Sequence, residues 1–127
     1  MGKASHGFTL VELMIVISII SILVSLGATN YVQQMKKARD GERKTELEQI
    51  RSALEMCRAD TGSYPATGSF SFGGTLTCGG NTYMNPVPTD PKNSSPYIYT
   101  YSGGGNSYTL CANRLETTEI IYCVNNP

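Results

Sequence analysis

Between Phe8 and Leu26 the chain runs for 19 residues with a single charge, Glu12. As an α-helix this stretch is ~28 Å long at 1.5 Å per residue, enough to cross the hydrocarbon of a bilayer. The residues before it are few and polar, with Lys3 the only certain positive charge. One reading is a secretory signal peptide, for which Ser25-Leu26-Gly27 offers small residues at cleavage spacing. The apolar run is longer than a usual signal core, however, and a carboxylate stands near its start. A second reading is a plain single-span anchor, which leaves Glu12 as a cost of ~2.5–3.5 kcal/mol if it lies deep and less near the interface. Glu12 also has a local role open to it. A carboxylate in the first turn favours the helix macrodipole, and Thr9-x-x-Glu12 has the spacing of a capping box.

From Tyr31 onward the pattern becomes amphipathic. Tyr31, Met35 and Ala38, then Leu47, Ile50, Leu54 and Cys57, recur at three- and four-residue steps, with charges on the other faces. Asp60-Thr61-Gly62 followed by Tyr64-Pro65 is a stop signal, a glycine able to turn left-handed and then a proline. One helix over about Thr9 to Ala59 is expected. Charge is concentrated in its second half: Lys36 to Asp60 holds seven Lys or Arg and six Asp or Glu. Asp40 and Glu42 interrupt the basic residues between Lys36 and Lys44, and no aromatics interleave them. A solvated or intersubunit face is therefore expected there rather than a surface for lipid or DNA. The formal net charge of zero likewise predicts no nucleic-acid partner.

Beyond Pro65 the chain is nearly neutral and rich in turn signals. Tyr97 to Tyr101, Ser107 to Ala112 and Glu119 to Val124 are short segments with β-branched and aromatic residues. Ser102 to Asn106 reads as a hairpin loop between the first two, and Tyr97, Tyr99 and Tyr101 fall on one face, as sheet packing requires. The expected fold is α+β: a long N-terminal helix packed in its second half against a small three-stranded antiparallel sheet. So small a head has little room for a core and needs staples. Cys57, Cys78, Cys111 and Cys123 include no C-x-x-C pair, so disulfides in an oxidising compartment are expected rather than zinc, with three pairings open. There is no P-loop and no dinucleotide fingerprint, and the carboxylates sit mostly on the helix beside bases. The chain reads as a non-enzyme.

Gly7-Phe8-Thr9-Leu10-Val11-Glu12-Leu13, opening directly on the spanning segment, resembles the processing site of type IV prepilins and type II secretion pseudopilins. The resemblance implies cleavage between Gly7 and Phe8 by a prepilin peptidase, followed by N-methylation of Phe8. Glu12 then becomes the fifth residue of the mature chain and serves assembly, its carboxylate meeting the N-terminal amine of a neighbouring subunit. A buried charge is tolerable only if paired, so this pair would act as a register device. The sole histidine, His6, would leave with the leader, and no Ser-His-Asp or Cys-His arrangement would remain. The family often has glycine where this chain has Ser21 and proline where it has Thr29. Gly27, and a bond from Thr29 back to a carbonyl one turn earlier, are what this chain offers instead.

The implied organisation is a leader at residues 1–7, a transmembrane or filament-core half-helix at 8–27, an amphipathic half-helix at 28–60 and a disulfide-stapled, pilin-like head at 61–127. The implied function is that of a structural subunit of a type IV pilus-like filament. The alternative is the major pseudopilin of a type II secretion system. A reading of another class is a membrane-anchored extracytoplasmic binding module. Implied partners are further copies of the chain, the peptidase, an inner-membrane assembly machinery, and lipid before assembly. The implied location is the inner membrane, as a single-pass precursor with the head outside, and then an extracellular or periplasmic filament. That orientation sets Lys36, Lys37, Arg39, Arg43 and Lys44 outside, against the positive-inside rule. The processing motif and the cysteines take precedence over it.

The later chain is similar to the family too. Asp60-Thr61-Gly62-Ser63-Tyr64-Pro65, and Val87-Pro88-Thr89-Asp90-Pro91 ahead of Tyr97, are similar to segments of the major pseudopilin. Of the three pairings, Cys57–Cys78 and Cys111–Cys123 are preferred. The first would pin the Gly-rich loop to the helix. The second would tie the last strand to its neighbour, as C-terminal disulfides do in many pilins. The resemblance also implies a calcium site in the C-terminal loops. Beyond Asp90 only Glu116 and Glu119 could supply it, which is thin for calcium, and no cofactor is expected.

Overall fold

The computed structural model describes Gly2 and residues 7–127, Thr29 by its backbone alone. The leader residues 1 and 3–6, His6 among them, and the expected back-bond of Thr29 lie outside the described residues. The chain divides into two compact units, one ending at Met35 and the other spanning Lys36–Pro127. In chain order the elements are α1 (Leu10–Thr61), β1 (Leu76–Cys78), β2 (Asn81–Met84), β3 (Tyr99–Gly104), β4 (Ser107–Ala112) and β5 (Tyr122–Asn125). The class is α+β, as expected. Helix α1 stops where the sequence signals it. Gly62 takes φ +81°, and its N–H closes on the Arg58 carbonyl at 2.7 Å.

In the second unit, Leu47, Ile50, Ala53, Leu54 and Cys57 line one face of α1 and are at most 1% exposed. All but Cys57 form one core with Tyr99, Tyr108, Leu110, Ala112 and Val124 of the sheet and with Tyr64, Leu76 and Val87. Burying each such leucine or isoleucine contributes roughly 1.5–3 kcal/mol. Strand β4 lies between β3 and β5, and both pairings are antiparallel. Its side chains alternate: Tyr108, Leu110 and Ala112 face inward, while Ser107 and Thr109 face solvent.

The β3–β4 loop is tighter than the expected Ser102 to Asn106. Pairing continues to Gly104 opposite Ser107, leaving only Gly105 and Asn106. Gly105 adopts φ +63°, which suits the first residue of a two-residue hairpin loop. Gly103 has a different reason to be glycine. A Cβ there would lie 2.5 Å from the Tyr101 hydroxyl and 2.7 Å from the Tyr108 Cβ. Without it, the Tyr101 ring reaches across to donate to the Pro65 carbonyl at 2.7 Å, and burial pushes its phenol up to about 12.

A second, two-stranded sheet pairs β1 with β2. Its turn is Gly79-Gly80, with φ +56° and +84°, two positive values in succession. These glycines read as a turn in the sequence, but strands of three and four residues are too short to display an alternation. Cys57 of α1 is bonded to Cys78 of β1, and Cys111 to Cys123, which stand opposite each other in the β4–β5 register. Bridges of this kind typically stabilise by ~2–4 kcal/mol each.

The buried stripe of α1 does not begin at Leu47. One turn earlier Arg43 is wholly buried, and Asp40 is 5% exposed. Arg43 Nε and Nη2 donate to the two oxygens of Asp90 at 2.7 and 2.9 Å, and Nη1 donates to Asp40 at 2.9 Å and Glu116 at 3.1 Å. Arg39 grips Glu116 with two further bonds of 2.6 and 2.7 Å, and Lys92 Nζ sits 3.0 Å from it. Asp40 accepts the Glu116 and Thr117 N–H groups and the Thr117 hydroxyl at 2.8, 2.9 and 2.6 Å. The expectation of a solvated or intersubunit face therefore fails for Arg43, which is buried within this unit, while Arg39 is half-buried against Glu116 and Lys37 and Lys44 are exposed. A guanidinium is weakly hydrated and presents a planar fork, so it suits a buried carboxylate cluster where an ammonium would not.

These bonds hold the carboxylates below their usual range. For Glu116 the largest cause is the bond from Arg39. For Asp40 and Asp90, burial works the other way and is outweighed, by Thr117 and backbone N–H bonds in the one and by Arg43 in the other. Groups with depressed values stabilise the fold above their ordinary pKa of about 4 and lose that contribution as pH falls through it and below. Glu46, raised mainly by burial, works in the opposite sense but is one group against three. The urea midpoint of the Lys36–Pro127 unit should therefore fall between about pH 6 and pH 3. Glu116→Gln should start lower and fall less steeply. A midpoint flat across that range would show the cluster contributes nothing.

Candidate functional site

The first unit carries the residues singled out at the N terminus. Gly7, Phe8 and Thr9 precede α1, and Thr9 caps it. The Thr9 hydroxyl accepts the Glu12 N–H at 3.2 Å. Glu12 Oε2 reaches back to the Thr9 N–H at 3.4 Å and to its hydroxyl at 3.3 Å. This is a reciprocal capping box, which satisfies donors that the first turn would otherwise leave open. It orients Glu12 toward the helix start, while the residue stays exposed. Both bonds that the carboxylate accepts fall on Oε2, so within the described residues Oε1 keeps its capacity for another donor.

Behind this cap, every large apolar side chain from Phe8 to Leu26 is at least 43% exposed. The most apolar 18-residue window has a mean hydropathy of 2.5 and none of it is buried. A helix that is apolar on all sides is suited to lipid or to other apolar helices, not to water. Its hydroxyls are already satisfied: Ser18, Ser21 and Ser25 donate to the carbonyls of Met14, Ile17 and Ile22 at 2.7, 2.7 and 2.8 Å. They therefore add little cost in an apolar medium. The helix continues unbroken past Ser21, Gly27 and Thr29.

Among the described residues no group of three or more His, Cys, Asp or Glu is arranged to hold a metal. The calcium implied by the resemblance would have to draw on Asp90 and Glu116, and all four of their oxygens already accept bonds from Arg39, Arg43 or Lys92. Glu119 is 2.9 Å from Arg114 on the surface. These residues do not fit a calcium ion. The Asp40–Arg43–Asp90–Glu116 cluster was missed in the sequence, although a signal was there. Asp40 and Arg43 continue the three-four spacing of Leu47, Ile50, Leu54 and Cys57.

The chain thus carries a small α+β head and a helix whose first half presents bare apolar surface. The family model described as the prokaryotic N-terminal methylation motif matches residues 2–28. The model described as type II secretion system protein G matches residues 30–116, well over half of the chain. The chain belongs to this type IV pilin and type II secretion pseudopilin family. Similar relatives include the type IV major fimbrial protein FimA of Dichelobacter nodosus, 31% identical, with 91% of this chain and 93% of that protein covered. The type II secretion system core protein G of Pectobacterium carotovorum is 36% identical over 52% of this chain and 42% of that protein. Prepilin peptidase-dependent protein D of Escherichia coli is 35% identical over 68% of this chain and 52% of that protein. The matches thus span about half the length of these last two relatives. No solved structure matches the chain.

The capping box is open to direct measurement. Thr9→Ala should weaken the first turn by about 0.5–2 kcal/mol. In detergent, the amides of Val11 to Leu13 should then exchange with deuterium roughly 2- to 30-fold faster, with no change beyond Ser18. Unchanged exchange at Val11 to Leu13 would show that Thr9 does not cap the helix.

Proposed function

We propose that the chain is a structural, non-enzymatic subunit of a type IV pilus-like filament. A prepilin peptidase removes residues 1–7 by cutting between Gly7 and Phe8, and Phe8 is N-methylated. Before assembly the helix from Phe8 anchors the chain in the inner membrane with the head outside. In the filament, the same surface packs against copies of itself. The observation that carries this reading is the wholly exposed apolar stretch from Phe8 to Leu26, opening at once on the matched methylation motif. Released from its capping role or alongside it, Glu12 pairs with the new N-terminal amine of a neighbour. A wrong axial offset would strand both charges in an apolar core, so the pair selects register.

A second reading, a secretion pseudopilus in place of a pilus, is favoured by the protein G match over residues 30–116. Both readings use the same helix chemistry. They separate in cells at normal expression, where a pilus subunit yields a long surface fibre and a pseudopilin does not.

Mass spectrometry of the protein from its own cells should find a mature chain beginning at N-methylated Phe8. Glu12→Ala should insert in the membrane at the normal level yet assemble few or no filaments, read by shearing and electron microscopy. Normal filaments from that variant, or a chain beginning near Ala28, would refute the proposal. A helix that only tethers a binding module would be indifferent to the substitution.

A further inference from the structure

The cluster around Arg43 gathers three carboxylates on one buried guanidinium. Three carboxylates from three parts of the chain converge: Asp40 on α1, Asp90 in the loop after β2 and Glu116 in the loop after β4. Asp90 and Glu116 have side chains no more than 1% exposed, and Asp40 is at 7%. What lies between them is the Arg43 guanidinium, itself wholly buried.

We infer that Arg43 serves as the built-in cation of the head, fastening its loops to α1, so that the head folds and works without calcium. Two observations carry this. First, all six carboxylate oxygens of Asp40, Asp90 and Glu116 accept a bond from a protein donor, so an incoming ion would have to compete with these donors for its ligands. Second, the charges balance without a metal: Arg39, Arg43 and Lys92 against Asp40, Asp90 and Glu116. Adding a divalent cation would leave two uncompensated positive charges beside the buried Arg43, which is costly where water is excluded. Calcium would also need six to eight oxygens. A guanidinium does the same bridging with directed bonds, and unlike an ion it cannot be chelated away.

The inference concerns the head alone and stands apart from the filament reading. Either a pilus or a pseudopilus subunit with this head should remain folded in a calcium-poor medium. The test is thermal unfolding of the purified full chain in detergent, in millimolar calcium chloride and in excess chelator. The two melting temperatures are expected to coincide. A calcium site filled to about 100 times its Kd would separate them by roughly 10–20 °C in a unit of this size. Any reproducible separation above about 2 °C overturns the inference. Arg43→Lys supplies a point charge without the planar fork, and should lower the melting temperature equally in both buffers. If Arg43→Lys does not fold, Asp90→Asn is measured in its place with the same expectation. A variant that melts at the wild-type temperature would remove Arg43 from this role.

Discussion

One stripe of α1, at Asp40, Arg43, Leu47, Ile50, Leu54 and Cys57, organises the whole of the Lys36–Pro127 unit. At one end it offers charge, in the middle aliphatic surface, and at the other end a sulfur. Each part takes a different piece of the following chain. The charged end holds the loops at Asp90 and Glu116, the aliphatic middle takes the inner face of β3–β4–β5, and Cys57 takes β1. None of these pieces could bury enough apolar area alone. The strands are six residues or shorter. A fixed helix face gives them a common surface, and the covalent and ionic fastenings at its ends limit how far they can separate.

The charged end also shows why burial of ions succeeds here. An isolated arginine in such a place would cost several kcal/mol. Arg43 avoids this because its donors meet carboxylates that are themselves held from other directions: Asp90 by the Lys92 N–H, Asp40 by the Thr117 loop and Glu116 by Arg39. The attraction strengthens as water is excluded, and no oxygen of the three carboxylates is left without a protein donor. The cluster specifies geometry as well as adding stability, since a slip of either loop would break several charge-assisted bonds at once.

The first unit follows the opposite logic. None of its described residues is buried, and its stability as a helix depends on backbone bonds and on the Thr9–Glu12 cap. Ser18, Ser21 and Ser25 fold their hydroxyls back onto the helix, so between Leu13 and Leu26 the surface is hydrocarbon in character. Such a surface suits an apolar surrounding rather than water. Between Phe8 and Leu26 the single charge on it is Glu12.

The sequence by itself determined what depends on near neighbours. The spanning helix follows from an unbroken apolar run, its start from Thr9 and Glu12 three residues apart, and its end from Gly62. The inward face of β4 follows from the alternation of Tyr108, Leu110 and Ala112. The processing motif was legible for the same reason, being contiguous. Tertiary structure alone decided what depends on residues far apart. Arg43 reads as one more base on a charged helix until Asp90 and Glu116, 47 and 73 residues away, arrive beside it. Gly103 reads as part of a flexible loop until the Tyr101 ring lies across it. Strands β1 and β2 have too few residues to show a period, and only their pairing makes them strands. Local pattern records backbone preference and which side of an element is apolar. Which distant charge neutralises a buried one is set by the folded arrangement that brings the two together.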